Sequence, residues 1–117
     1  MQRRLTTILA ADIVAFSRLV GTDEERAIAF QKMLRIEVVD PLLERHGGRI
    51  VNTAGDSFLI EFSSAVEGVR FAAAMQAGVT ERNTGLPSDE KMEYRIGINV
   101  GDVVKNNGDL LGDVLDA

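Results

Sequence analysis

The sequence predicts an α+β domain of the ferredoxin-like, split βαβ kind: an antiparallel sheet with its helices on one face. Three observations predict it. Apolar runs with the twofold alternation of strands occur at residues 5–13, on both sides of Gly55-Asp56 within 49–62, and at 92–104. Two longer stretches, residues 21–48 and 63–83, carry apolar residues at helical spacing. The resulting order, β-α-β-β-α-β, is that of a split βαβ sheet, whose second face is left to bind a ligand or to dimerise.

Each element has its own warrant. In "LTTILAADI", residues 5–13, Ile8, Ala10 and Asp12 share one strand face and Leu5, Thr7, Leu9 and Ala11 the other. A carboxylate therefore ends an otherwise apolar strand. In "GTDEERAIAFQKMLRIEVVDPLLERHGG", Thr22 and Glu25 have capping-box spacing, and Ala27, Phe30, Leu34 and Val38 form one buried stripe. Pro41 lacks a helical N–H, which predicts a kink there or a restart with Asp40 as cap, and Gly47-Gly48 end the helix. "RIVNTAGDSFLIEF" reads as a hairpin: Ile50 and Val51 lie on one arm, Phe58, Ile60 and Phe62 alternate on the other, and Gly55-Asp56 makes the reversal. Ser64 and Glu67 repeat the capping-box spacing, and Val66, Val69, Ala73 and Ala77 follow as the buried stripe of a second helix. "TGLPSDEK" is a loop. "MEYRIGINVGDVV" is a strand with Tyr94, Ile96, Ile98 and Val100 on one face and Arg95, Gly97 and Asn99 on the other; a further short strand is expected around Val103 and Val104.

Composition narrows the function. A chain of 117 residues with 45% hydrophobic content makes one domain with a real core. A net charge of −5 argues against a nucleic-acid or anionic-membrane binder, since both need a basic face. There is no cysteine, so disulfides and thiolate metal sites are excluded, and cytoplasmic placement is the expectation. No apolar stretch reaches the ~20 residues needed to span a bilayer, and "MQRRLTT" lacks the apolar core of a signal peptide, so the chain reads as soluble and unprocessed.

The carboxylates carry the chemistry. In a split βαβ sheet the first strand lies beside the third, and antiparallel pairing in a suitable register brings Asp12 and Asp56 to one edge of a groove. Like charges that close repel, and each raises the other's pKa. A hard divalent cation removes the conflict, because Mg²⁺ is typically held by one or two carboxylates together with substrate phosphates. Asp56 alone is ordinary turn chemistry. Asp12, followed by small and apolar residues whose backbone N–H groups can wrap an anion, turns the pair into a phosphate-and-metal site.

"ILAADIVAFSRL", "HGGRIVNTAGDSFLIEF", "YRIGINVGDVV" and "GDLLGD" occur in the order and spacing of one family. From Leu5 to about Asp113 the chain resembles the class III adenylate and guanylate cyclase catalytic domain. The resemblance implies a ferredoxin-like sheet with extra elements, paired head to tail as a homodimer with sites at the interface. It implies that Asp12 and Asp56 are the metal-binding catalytic aspartates, that the Ile13 carbonyl is a further ligand, and that the backbone of residues 13–17, notably Phe16 and Ser17, cradles a triphosphate. Arg95 matches an arginine that faces phosphate. The implied cofactors are two ions, Mg²⁺ or Mn²⁺. One lowers the pKa of the ribose 3′-hydroxyl for in-line attack on the α-phosphorus, and the other neutralises the departing pyrophosphate.

Two positions of the family choose the base. Asn52 replaces the lysine of typical adenylate cyclases and the glutamate of guanylate cyclases, and an amide can donate and accept alike. Asp109 favours the adenine amino group, which tilts the expectation to ATP over GTP. Asp116 stands where the family has a ribose-orienting Asn, and the chain ends before the family's transition-state Arg. Little or no turnover is therefore expected of these 117 residues alone. A non-catalytic regulatory or dimerisation module with the same fold is the alternative. A palm-type nucleotide enzyme fits less well, since "AGDSF" lacks that group's paired glycines. His46 reads as a helix-end residue, and Phe16, Phe58 and Phe62 read as core.

Overall fold

The computed structural model describes residues 2–106 and 109–112, with side chains over residues 6–101. Its sheet is built on β1 (Gln2–Ile13), which lies between β3 (Ser57–Phe62) and β4 (Tyr94–Asn106). Strand β2 (Arg49–Ala54) flanks β3, and β5 (Asp109–Gly112) flanks β4. Every neighbouring pair is antiparallel. The order β2-β3-β1-β4 is the expected split βαβ sheet, and β5 extends it at one edge. The helical elements are α1 (Phe16–Thr22), α2 (Glu24–Leu34), a π turn (Arg35–Val39), α3 (Asp40–His46) and α4 (Ala65–Asn83).

Alternation puts all of the helices on one face. Leu9, Ala11 and Ile13 of β1 and Phe58, Ile60 and Phe62 of β3 are buried in one cluster with Leu19, Ala27, Leu34, Val38, Phe71, Met75 and Val79 from the helices. The Phe62 and Phe71 rings pack with centroids 5.3 Å apart. On the opposite face Ile8 is buried with Val51 and Leu59, while the end of the sheet near Asp12 is open.

Four local expectations are corrected. The capping box at Thr22 and Glu25 does not form, because residues 16–22 are themselves helical. The Thr22 hydroxyl donates to the Arg18 carbonyl at 3.1 Å, and Asp23 caps α2 by accepting from the Arg26 N–H at 3.1 Å. Asp40 does not cap a restarted helix before Pro41. The π turn widens the helix so that the Asp40 N–H reaches the Arg35 carbonyl, while the Asp40 carboxylate accepts from Arg35 Nε at 2.7 Å instead of capping. In α4, Ser64 caps as expected, accepting from the Glu67 N–H at 3.2 Å, but the buried stripe is Gly68, Phe71, Met75 and Val79. Val66 and Val69 stay 58% and 57% exposed, because the larger Phe71 and Met75 are what fill the volume over the sheet. Val103 and Val104 lie inside an unbroken β4, not in a strand of their own.

Candidate active site

The register of β1 decides what meets at the open end of the sheet. Asp12 is opposite Ser57 on β3 and opposite Arg95 on β4. The Ile13 N–H donates to the Asp56 carbonyl at 3.3 Å, which seats the hairpin tip against the end of β1. Residues directly opposite on adjacent strands project to the same face, so Arg95 forks onto Asp12. Its Nε donates to Oδ1 and its Nη2 to Oδ2, both at 3.1 Å. That bidentate contact holds the Asp12 carboxyl below the usual carboxylate range against the opposing effect of burial, and it raises the Arg95 guanidinium. Mutual repulsion of two aspartates predicted the reverse direction for Asp12. The charge that governs Asp12 is instead the cation on the next strand.

Asp12 and Arg95 line a groove of about 430 Å³ together with Ala10, Asn52, Ser57 and Gly97. Asn52 reaches it through a β-bulge between Ile50 and Asn52. Ile50 is opposite core-facing Ile60, whereas Asn52 is opposite Leu59, on the groove side. Without the extra residue, two positions of equal parity would share the helix-covered face. Gly97 has nothing within 4 Å of where a Cβ would stand. Packing within this chain therefore does not require glycine there, and the space is available to something else.

The segment after Asp12 is strained. Ala15 has φ of 54°, the one positive-φ residue other than glycine among the described residues. An L-residue there costs roughly 1–2 kcal/mol. The left-handed Ala15 leads directly into α1, where the first N–H groups have no intrahelical partner, those of Phe16 and Ser17 among them. Such a left-handed-to-helical turn makes a concavity of N–H groups suited to an anion. The Ile13 side chain is only 2% exposed, so its backbone alone can serve the site. Tyr94, opposite Ile13, is buried with its hydroxyl pushed up to about 12, chiefly by burial, with Arg35 opposing and Asp56 adding.

Of the residues singled out in the sequence, Asp12, Asn52 and Arg95 line the groove, the Asp56 hairpin tip seats against the end of β1 at Ile13, and Phe16 and Ser17 open α1 just beyond it. Asp109 opens β5 opposite Asn106. From Arg95 to Asn106 is eleven residues of one strand, about 35 Å at ~3.3 Å per residue. Asp116 lies outside the described residues. Among the described residues no three His, Cys, Asp or Glu side chains cluster as a metal cage. The Asp12 carboxylate in an open groove, with the Asp56 hairpin tip seated beside it, suits a hard cation that takes its remaining oxygens from substrate and water. The bulge and the strained Ala15 were missed in the sequence, where neither has a local signal. Gly97 did have one, since an isolated glycine within a strand marks close approach of another group.

Residues 2–108 match the family described as the adenylate and guanylate cyclase catalytic domain. The chain belongs to that family. This cyclase domain is 42% identical over 113 residues to a Rhizobium meliloti (strain 1021) protein named "Putative adenylate cyclase 3", covering 97% of this chain and 19% of that relative. Its fold matches the crystal structure of an adenylate/guanylate cyclase/hydrolase from Silicibacter pomeroyi with a TM-score of 0.89 at 41% identity, covering 97% of this chain and 66% of that one. A structure of the guanylyl cyclase Cya2 shares the fold alone, with a TM-score of 0.74 at 24% identity over 94% of this chain and 62% of the other. The cyclase domain spans 19% and 13% of the lengths of the curated relatives it matches. No helix among its described residues is long and apolar enough to cross a membrane.

Proposed function

We propose that this domain converts ATP to cyclic AMP and pyrophosphate, working as a head-to-tail pair. The observation that carries the reading is the pairing of Asp12 with Arg95 in one open groove, with the Asp56 hairpin tip seated against the end of β1, in a chain of the cyclase family. The reaction forms a bond from the ribose O3′ to the α-phosphorus and breaks the bond from that phosphorus to the β-bridging oxygen. The hydroxyl proton passes to solvent, and pyrophosphate leaves.

Class III cyclases use divalent metal ions, and here the Asp12 and Asp56 carboxylates, with the Ile13 carbonyl, would hold Mg²⁺ or Mn²⁺. Bound there, such ions supply activation of the 3′-hydroxyl and charge neutralisation at the phosphates. The chain's own residues do the rest. Arg95 exchanges Asp12 for the phosphates, which is open to it because its side chain is 72% exposed on a flexible stem. The N–H groups of Phe16 and Ser17 hold phosphate oxygens. Asn52 meets the base as both donor and acceptor, so the preference for ATP over GTP rests on Asp109. The length of β4 supports the pairing: with Asp12 and Asp109 about 35 Å apart along the strand, two chains side by side in opposite directions can bring one of each to a shared nucleotide.

The purified chain supplied with ATP and Mn²⁺ is expected to form cyclic AMP and pyrophosphate slowly and in equal amounts. Asp56→Ala should form neither, and GTP should give less cyclic product. No saturable binding of ATP in the presence of Mn²⁺ would favour the non-catalytic module instead.

A further inference from the structure

A second cavity, of about 450 Å³, lies under the hairpin tip on the helix-covered side of the sheet, between Lys32, Arg35 and Ile36 on one wall and Thr53, Phe58 and Tyr94 on the other. Nothing in the cyclase reaction uses it. Tyr94 lines it, and the Tyr94 hydroxyl, which has no hydrogen-bond partner among the described residues and is not sealed from solvent, is open to an occupant. Arg35 commits Nε to Asp40 and leaves both Nη groups without a partner among the described residues, and Lys32 has no ion pair there. Two cations therefore face one cavity in a chain whose net charge is −5. Ile36, 66% exposed, adds an apolar lip, and the Phe58 and Tyr94 rings, 6.1 Å apart, form an apolar floor.

The chemistry of the walls selects the occupant. A phenol, a guanidinium and an ammonium are donors only or donors first, so they call for a ligand rich in acceptor oxygens. The rings and Ile36 call for an apolar body, and the volume suits a small molecule. We propose that this cavity binds a small organic anion, a carboxylate or phosphate ester on an aromatic or branched apolar body, with its oxygens held by Tyr94, Lys32 and Arg35. Ser57 and Phe58 line both this cavity and the groove, and Gln31 Nε2 donates to the Gly55 carbonyl at 3.5 Å, so an occupant acts on the hairpin tip that carries Asp56. That second consequence rests on the cyclase reading; occupancy does not.

An NMR titration of the chain without metal or nucleotide tests occupancy, using benzoate, phenyl phosphate and, as the uncharged control, benzyl alcohol. At least one anion should give saturable shifts at Ile36, Phe58 and Tyr94, and the alcohol should give none. Comparison of the two anions tells carboxylate from phosphate. Lys32→Ala, an exposed position, should weaken binding about tenfold, and Tyr94→Phe, which keeps the ring, should weaken it as well. The proposal is overturned if neither anion saturates at millimolar concentration, if benzyl alcohol binds equally well, or if both variants bind as the unaltered chain does.

Discussion

At the scale of single residues, the Asp12–Arg95 contact makes the site self-neutralising. A metal entering the groove competes with a guanidinium that already occupies both carboxylate oxygens. Arg95→Gln removes that competitor, and calorimetry should find Mn²⁺ bound several-fold more tightly to the nucleotide-free variant while ATP binds more weakly. Unchanged Mn²⁺ affinity would mean that Arg95 does not guard Asp12. Gly97 gives a complementary test. A Cβ there meets no atom within 4 Å and valine suits a strand, so Gly97→Val should keep or slightly raise the stability read from urea unfolding, by about 0.5–1 kcal/mol at most, yet lose ATP binding. Asp56 was legible in the sequence because Gly-Asp between two alternating runs has a turn to make. Ala15 was not, since nothing in "AADIVAFS" announces a left-handed residue without glycine.

At the scale of elements, the end of α3 is tied to the start of α4 by side chains. His46 Nδ1 lies 2.7 Å from Glu67 Oε1, and Arg70 Nη1 donates to Glu67 Oε2 at 3.0 Å. The hydrogen bond to His46, with Arg70 helping and burial opposing, holds Glu67 below its ordinary 4.5. A carboxylate depressed in the folded state contributes stability that is present above its unfolded value, and that contribution is lost as pH falls through the folded one. Acid unfolding followed by circular dichroism should therefore show a loss beginning near pH 4.5 that Glu67→Gln reduces; an identical acid limb in the variant would contradict the tie. The helix that carries Glu67 shows where periodicity misleads. Two stripes of α4 have helical spacing, and only side-chain volume tells Phe71 and Met75 on the sheet from Val66 and Val69 in solvent. The bulge that turns Asn52 into the groove is likewise a property of the paired strands, invisible in either one alone.

At the scale of the whole molecule, the sequence of apolar runs sufficed for the order of the first four strands, because strand one has to fall beside strand three once both helices cover one face. The added edge strand β5 was not legible, since β4 runs unbroken through the point where a separate strand was expected. The face left without helices carries the groove, where small residues converge with Asp12, Asn52 and Arg95. The central claim is that this groove is a metal-dependent nucleotide site. Calorimetric titration of the chain with ATP, with and without Mn²⁺, tests it most directly, alongside the Asp12→Asn, Asp56→Asn double variant. Saturable binding that needs Mn²⁺ and vanishes in the double variant is the predicted result. No saturable heat in the unaltered chain, or the same binding in the variant, would contradict the claim.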